Sequence, residues 1–216
     1  MSSGSSQVGH ASRRLLEDDP VILVDQQKSG TRIFAALSEA GANQAFCMGW
    51  TALETQLGDE YAELLQPCER DSLRWYLVGL DVLNAIPGDP AARAEFASHW
   101  STENTGGKAP QIIWSHIAQD AAVFLLHVDP DTAWFAGHFP GQPVLPGVVQ
   151  IDWAITLAKN IGIDEAAFSG IPRVKFSSLV LPDAVLRLSL EKTVAGLRFR
   201  YESNQGVHSQ GSVGFG

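Results

Sequence analysis

The chain has 216 residues, 45% of them hydrophobic, and a formal net charge of −9, enough apolar material for one large domain or two small ones. Such acidity excludes nucleic acid and anionic membranes as expected partners, because phosphate binding draws on Lys and Arg. No stretch has the uninterrupted apolar length of a membrane span, and the start, MSSGSSQVGHASRRLLEDDP, lacks the apolar centre of a signal peptide.

Residues 1–28 therefore read as a flexible polar tail. Through Asn104 there are 7 Lys and Arg against 15 Asp and Glu, so a charge of −8 belongs to this half and −1 to the remainder. From Ser29 to about Trp100 apolar residues recur three or four apart, as in Ile33, Phe34 and Leu37, then Leu53, Leu57, Tyr61, Leu64 and Leu65. That spacing predicts a small all-α region over 29–105, with three or four short helices. Pro67, the IPGDP stretch and the run STENTGGKAP from Ser101 to Pro110 punctuate it, the last as a linker. Cys47 and Cys68 form no close-spaced pair and have no histidine partners at zinc-finger spacing. Neither a disulfide framework nor a metal site is expected, and a reducing cytoplasm is the expected location.

Beyond Pro110 the period changes to two. Strands are predicted at QIIWSHIA and AAVFLLHV with a turn at Gln119-Asp120. Alternation in AVLRLSLEK and LRFRYE, with turns at Ala195-Gly196 and Asn204 to Gly206, predicts an antiparallel meander. Between these lies a segment from Val148 to about Ile161, started by Pro146-Gly147 and ended by Gly162. Only Gln150, Asp152, Thr156 and Lys159 interrupt its apolar character, so it is expected to be wrapped by the rest of the fold. The result is an α+β plan over 106–216, one antiparallel sheet curled around one long helix.

Burial disfavours a charged carboxylate, so Asp152 is expected to keep its proton to higher pH than a solvated aspartate and to serve as a general acid. The alternative is a core aspartate satisfied by hydrogen bonds or by a dimer partner. His138, in GHFPG, is a candidate base because histidine titrates near neutrality; structural packing is the alternative. Backbone N–H groups around Gly147 and Val148, at the helix start, suit a developing oxyanion. Together these groups fit removal of a proton alpha to a thioester carbonyl and loss of a hydroxyl from the next carbon. The chain has no G-x-S-x-G elbow, Walker-type loop or H-E-x-x-H pair.

The stretch GHFPGQPVLPGVVQIDWA resembles the H-F-P-x-x-P-V-x-P-G-V signature of the 3-hydroxyacyl-[acyl carrier protein] dehydratases of the hot-dog fold, and is most similar to those associated with aryl polyene pigment clusters. IPRVKFSSLVLPDAVLRLSLE is similar to the family's next strand pair, with its turn at Pro182-Asp183, so the resemblance covers about Gln111 to Gly216. It implies His138 as base, Asp152 fourteen residues later as acid, the Gly147 N–H as oxyanion donor, and Phe139, Pro146 and Val148 beside the substrate. Aspartate at the acid position is typical of the branch that also isomerises the enoyl product.

The resemblance further implies no cofactor beyond the phosphopantetheine of the acyl carrier protein, that carrier as partner, and a homodimer in which the histidine of one subunit meets the acid of the other. Arg173 and Lys175 are candidates for contact with the carrier or its phosphopantetheine phosphate; solvated strand charges are the alternative. A hot-dog thioesterase and a non-catalytic carrier-binding subunit are the rival functions. His116 and His127 read as core or interface histidines. Asp71-Ser72-Leu73 resembles the attachment site of acyl carrier proteins, but equally suits the cap of a helix. A helical cap over the acyl tunnel or a docking appendage is the expected role of the N-terminal half.

Overall fold

The computed structural model describes residues 16–26, 30–62, 73–104, 106–139 and 141–216. In the N-terminal half, strands β1 (Leu16–Gln26), β2 (Gly30–Leu37) and β3 (Leu73–Leu77) accompany helices α1 (Glu39–Met48), α2 (Trp50–Glu60), α3 (Leu80–Ala85) and α4 (Pro90–Asn104). The strands form one sheet in the order β1-β2-β3, with β1 antiparallel and β3 parallel to the central β2. The four helices agree with the expectation, but the region is not all-α.

The reason lies in β2. Ile33, Ala35 and Leu37 enter one apolar cluster while Phe34 and Ala36 enter another, and a strand buried on both faces is a continuous apolar run whose spacing also satisfies a helix. Trp75 and Leu77 against Tyr76 and Val78 repeat this division beside it. Parallel pairing of β2 with β3 requires a crossover, which α1 and α2 supply. In α1 the Ser38 hydroxyl accepts the Gly41 N–H at 3.0 Å, and in α2 Leu53 and Leu57 are fully buried on one face.

Leu16–Gln26 is strand rather than tail, while residues 1–15 lie outside the described residues. Leu64, Leu65, Pro67, Cys68, Asp71 and Ser72 also lie outside them, and Leu73 opens a strand where a helix was expected. Helix α4 runs to Asn104, so Ser101–Asn104 is not linker.

The C-terminal half comprises β4 (Gln111–Ile117), β5 (Ala121–His127), α5 (Gly147–Ala158), β6 (Phe168–Phe176), β7 (Val185–Thr193), β8 (Gly196–Ser203) and β9 (Gly206–Phe215). Their sheet has the order β4-β5-β7-β8-β9-β6 with every pair antiparallel. Phe124, Leu126, Leu186, Leu188, Phe199 and Tyr201 of the sheet pack on Val149, Trp153, Ala154 and Leu157 of α5. This is the hot-dog arrangement, and α5 ends as expected, through a 3-10 turn into Gly162 at φ +71°.

One expectation about α5 is corrected. The helix is not wrapped all round: Val148 is 70% exposed and Asp152, one turn on, is also exposed. Positions four apart share a flank, and the curl of this sheet leaves that flank open.

On its outer face the same sheet contributes Ile113, Leu125 and Val185 to a cluster with Ile33, Leu37, Ala42, Trp50 and Leu53. The N-terminal half thus lies on the back of β4, β5 and β7, opposite α5, as an appendage rather than a cap over that helix. The Arg187 guanidinium reinforces the contact, 3.8 Å from the Phe46 ring centroid and donating to Asn43 Oδ1 at 3.2 Å. Among the described residues no helix is long and apolar enough to cross a membrane.

Candidate active site

His138 sits in a loop shaped by its neighbours. A 3-10 turn at Ala133–Phe135 precedes it, the His138 N–H donates to the Phe135 carbonyl at 3.2 Å, and the Gln142 N–H donates to that of Phe139 at 3.1 Å. Gly137 and Gly141 adopt φ of +79° and +86°, where a side chain is disfavoured, so these glycines permit the double bend. Phe139 itself stands at φ +63°, a conformation costing a non-glycine residue about 1 kcal/mol or more. Its ring meets that of His138 edge-on at 6.4 Å, and both side chains are exposed.

The tip of α5 is uncapped by any side chain. Pro146, at φ −58°, leads into Gly147, and the first helical bonds run from the Val149 and Gln150 N–H groups to the Pro146 carbonyl. The Gly147 and Val148 N–H groups precede them and point out of the helix start, where the backbone dipole favours negative charge. Phe176, which the sequence reading missed, crowns this tip. A Cβ on Gly147 would stand 2.6 Å from the Phe176 ring, so only glycine lets the ring approach.

Asp152 is exposed, which corrects the expectation of a buried carboxyl on this helix. The buried polar group of α5 is instead Gln150, 3% exposed, whose side-chain oxygen accepts the Ser209 hydroxyl at 2.6 Å. Tyr201 donates to the Gln150 backbone carbonyl at 2.9 Å. Burial pushes the Tyr201 phenol well above its ordinary range, and the Asp152 charge adds to the shift. The alternation of LRFRYE indicated that Tyr201 points inward, but nothing local to it showed what its hydroxyl would meet. No hydrogen bond or ion pair joins His138 to Asp152 among the described residues.

Arg173 and Lys175 are exposed on the outer face of β6, while Val174 between them packs on the core around α5. Cross-strand register aligns Arg173 with Ser212 and Arg198, and Lys175 with Gln210 and Arg200. The four cations line a cleft of about 410 Å³ on the side opposite α5 rather than beside the helix tip. Arg198 pairs with Glu191 at 2.7 Å and Arg200 with Glu202 at 2.8 Å.

Of the other histidines, His116 is exposed and stacks on Trp114 at 6.4 Å. His127 is buried; its ring stacks on Trp50 at 3.7 Å and bonds Gln111 at 2.8 Å and Asp183 at 3.1 Å. Nearby, burial and the Asp183 charge raise the Glu54 carboxyl, against a hydrogen bond from Trp50 that lowers it. Among the described residues no group of three or more His, Cys, Asp or Glu is arranged to hold a metal ion.

Residues 114–212 match the model of the ApeI-like family, described as ApeI dehydratase. The 3-hydroxyacyl-[acyl-carrier-protein] dehydratase FabZ of Alkaliphilus metalliredigens is 37% identical over 78 residues, 33% of this chain and 53% of that one. Its counterpart in Clostridium novyi is 39% identical over 77 residues, 32% of this chain and 54% of that one. The chain spans about half the length of the curated relatives it matches. Among solved structures, the dehydratase heterocomplex ApeI:P from Xenorhabdus doucetiae is similar at 37% identity over 49% of this chain and 96% of that one, with a TM-score of 0.44.

Proposed function

We propose that the C-terminal half, which matches the ApeI-like family model over residues 114–212 and is similar to a 3-hydroxyacyl-[acyl-carrier-protein] dehydratase FabZ over 33% of the chain, dehydrates a 3-hydroxyacyl thioester borne on acyl carrier protein to the trans-2-enoyl thioester. The reading places this step in fatty acid or polyene synthesis, in the cytoplasm. The observation that carries it is the open flank of α5. An uncapped helix tip at Gly147 and an exposed Asp152 lie within one chain segment of an exposed His138.

In the proposed mechanism the His138 imidazole takes the proton alpha to the thioester carbonyl. The electron pair of that C–H bond moves onto the carbonyl oxygen, where the Gly147 N–H receives the enolate charge, with Val148 beside it. As the enolate collapses, the C3–O bond breaks, the double bond forms, and Asp152 gives its proton to the departing hydroxyl. Water leaves and the thioester is conserved. No electrons enter or leave, so the chemistry calls for no cofactor beyond the carrier's phosphopantetheine.

Asp152 gives up a proton in this role, and a subunit laid over the open flank would exclude bulk water from the reacting groups. Phe139, Val148, Phe176 and Leu179 are 66%, 70%, 48% and 59% exposed, an apolar set suited to such a partner. A second copy of this chain is the proposed occupant, with His138 of one subunit facing Asp152 of the other. The heterocomplex named for the solved relative supports a second reading, in which a different dehydratase-like subunit covers this flank. Arg173 and Lys175, joined by Arg198 and Arg200, are the proposed landing surface for the acidic carrier.

Incubation with 3-hydroxyacyl carriers of differing length and unsaturation, followed by mass spectrometry of the intact carrier, tests the reaction. Loss of one water with the acyl chain retained is expected. Release of free carrier thiol would instead indicate a thioesterase, and an unchanged carrier with every substrate would indicate a non-catalytic subunit.

A further inference from the structure

Three consecutive carbonyl oxygens, those of Gly106, Gly107 and Lys108, bond to the loop that leads to His138. They accept the Ala133 N–H at 3.1 Å, the Thr132 hydroxyl at 2.6 Å and the Trp134 indole N–H at 2.7 Å. The Lys108 oxygen also accepts the Trp153 indole N–H at 2.8 Å, so one acceptor holds two indoles through its two lone pairs. Trp153 is 3% exposed on α5, next to Asp152, and Trp134 lies four residues before His138.

The segment is itself fixed. The Gly106 N–H donates to Asp129 Oδ2 at 3.2 Å, and Oδ1 of the same carboxylate accepts the Asp131 N–H at 2.8 Å. Gly106 has φ +69°, and a Cβ there would lie 3.2 Å from the Asp131 carbonyl oxygen. None of these bonds belongs to the β-sheet, since β4 begins only at Gln111. They join what the sheet leaves separate, the His138 loop and the α5 helix.

We propose that Gly106–Lys108 is a positioning strap that sets the His138 loop against the helix bearing Gly147 and Asp152, with Thr132, Trp134 and Trp153 as positioning residues. This rests on the dehydratase reading for its consequence in rate, but not for the strap itself. The strap lies at the junction with the N-terminal half, since α4 ends at Asn104, so it is also the covalent route by which that half reaches the site.

The test uses the full chain with Trp153→Phe, which keeps the ring and removes the N–H, and Thr132→Val, which keeps the shape and removes the hydroxyl. Thr132→Ser serves as the conservative rescue. Hydrogen exchange of amides 133–139 is expected to rise about tenfold or more in the first two variants and to stay as in the parent in Thr132→Ser. In turnover, kcat should fall about ten- to a hundredfold, as displacement near 1 Å does, with KM and the pH profile unchanged. A double variant should be no slower than the slower single, because both bonds serve one placement.

Unchanged loop exchange together with unchanged kcat in Thr132→Val and Trp153→Phe would overturn the strap, as would equal losses in Thr132→Ser and Thr132→Val. If loop exchange rises while the parent chain dehydrates no carrier substrate, the strap stands and the dehydratase reading fails.

Discussion

The ring of Phe176 lies over Gly147 so closely that a Cβ on the glycine would stand 2.6 Å from it. Gly147→Ala must therefore displace the ring, and since Phe176 is 48% exposed the ring has room to swing. The cost in stability is expected near the low end for overpacking, about 1 kcal/mol, measured by denaturant titration. Activity should fall much further, by about a hundredfold, because the displaced Phe176 ring would disturb the proposed oxyanion site at the Gly147 N–H. Phe176→Leu in the same chain should restore stability more fully than rate.

His138→Ala and Asp152→Asn should each abolish dehydration without loss of fold, because both side chains are exposed and neither is bonded to the other. Mixing the two dead variants in equal amounts, with subunit exchange verified by mass, should recover about a quarter of parental activity if each site draws on two subunits. No recovery after proven exchange would count against the shared site.

Tyr201→Phe tests the buried network under α5. The phenol donates to the Gln150 carbonyl at 2.9 Å, and its loss should cost about 1 kcal/mol. Its folded value is raised above 10.0 by burial and then by the Asp152 charge. The folded state thus holds this proton more tightly than the unfolded chain, and the associated stability is present below pH 10 and lost as pH rises past it. The Phe variant should lack that alkaline loss, which melting curves between pH 9 and about 11 would reveal.

Glu54→Gln should stabilise the parent fold at neutral pH. Burial and then Asp183 raise the Glu54 carboxyl above 4.5, so the stability it contributes is present below that value and lost as pH rises through the folded value. Glutamine keeps an acceptor for Trp50 without the charge. Thermal melts at pH 7 should favour the variant, and the difference should vanish in acid; a destabilised variant at pH 7 would contradict the assignment.

Arg173→Glu combined with Lys175→Glu should raise KM for carrier-borne substrate and leave kcat alone, since both lie on the sheet face opposite α5. The parent's KM should climb with salt and the variant's should respond far less, as expected when charge steers association. An equal effect on a short pantetheine-borne substrate would remove the carrier from the explanation.

The C-terminal half was legible because its signals are periodic and local. Alternation in β7 and β8 fixed which residues face the core, and Pro146, Gly147 and Gly162 bounded α5. The open flank was not legible, since an apolar helix looks the same whether its own sheet or another subunit covers Val148 and Asp152. In the N-terminal half Ile33 to Leu37 misled for a physical reason: a strand buried on both faces has no alternation to betray it. Phe176 over Gly147, and the Lys108 oxygen between two tryptophans, join positions distant in sequence, and no periodicity encodes such meetings.

Strand order sets β4, beneath the appended half, at one extremity of the six-stranded sheet and β6 at the other. At about 4.8 Å per strand spacing, about 24 Å separates these margins. The appended half also reaches the turn between β8 and β9, where the Asn204 side-chain amide donates to the Cys47 carbonyl at 2.9 Å, so its hold on the sheet spans more than the β4 margin. Substitutions on the far side of that half, away from Ile113, Leu125 and Val185, can thus accumulate without disturbing the flank of α5 that carries Val148 and Asp152.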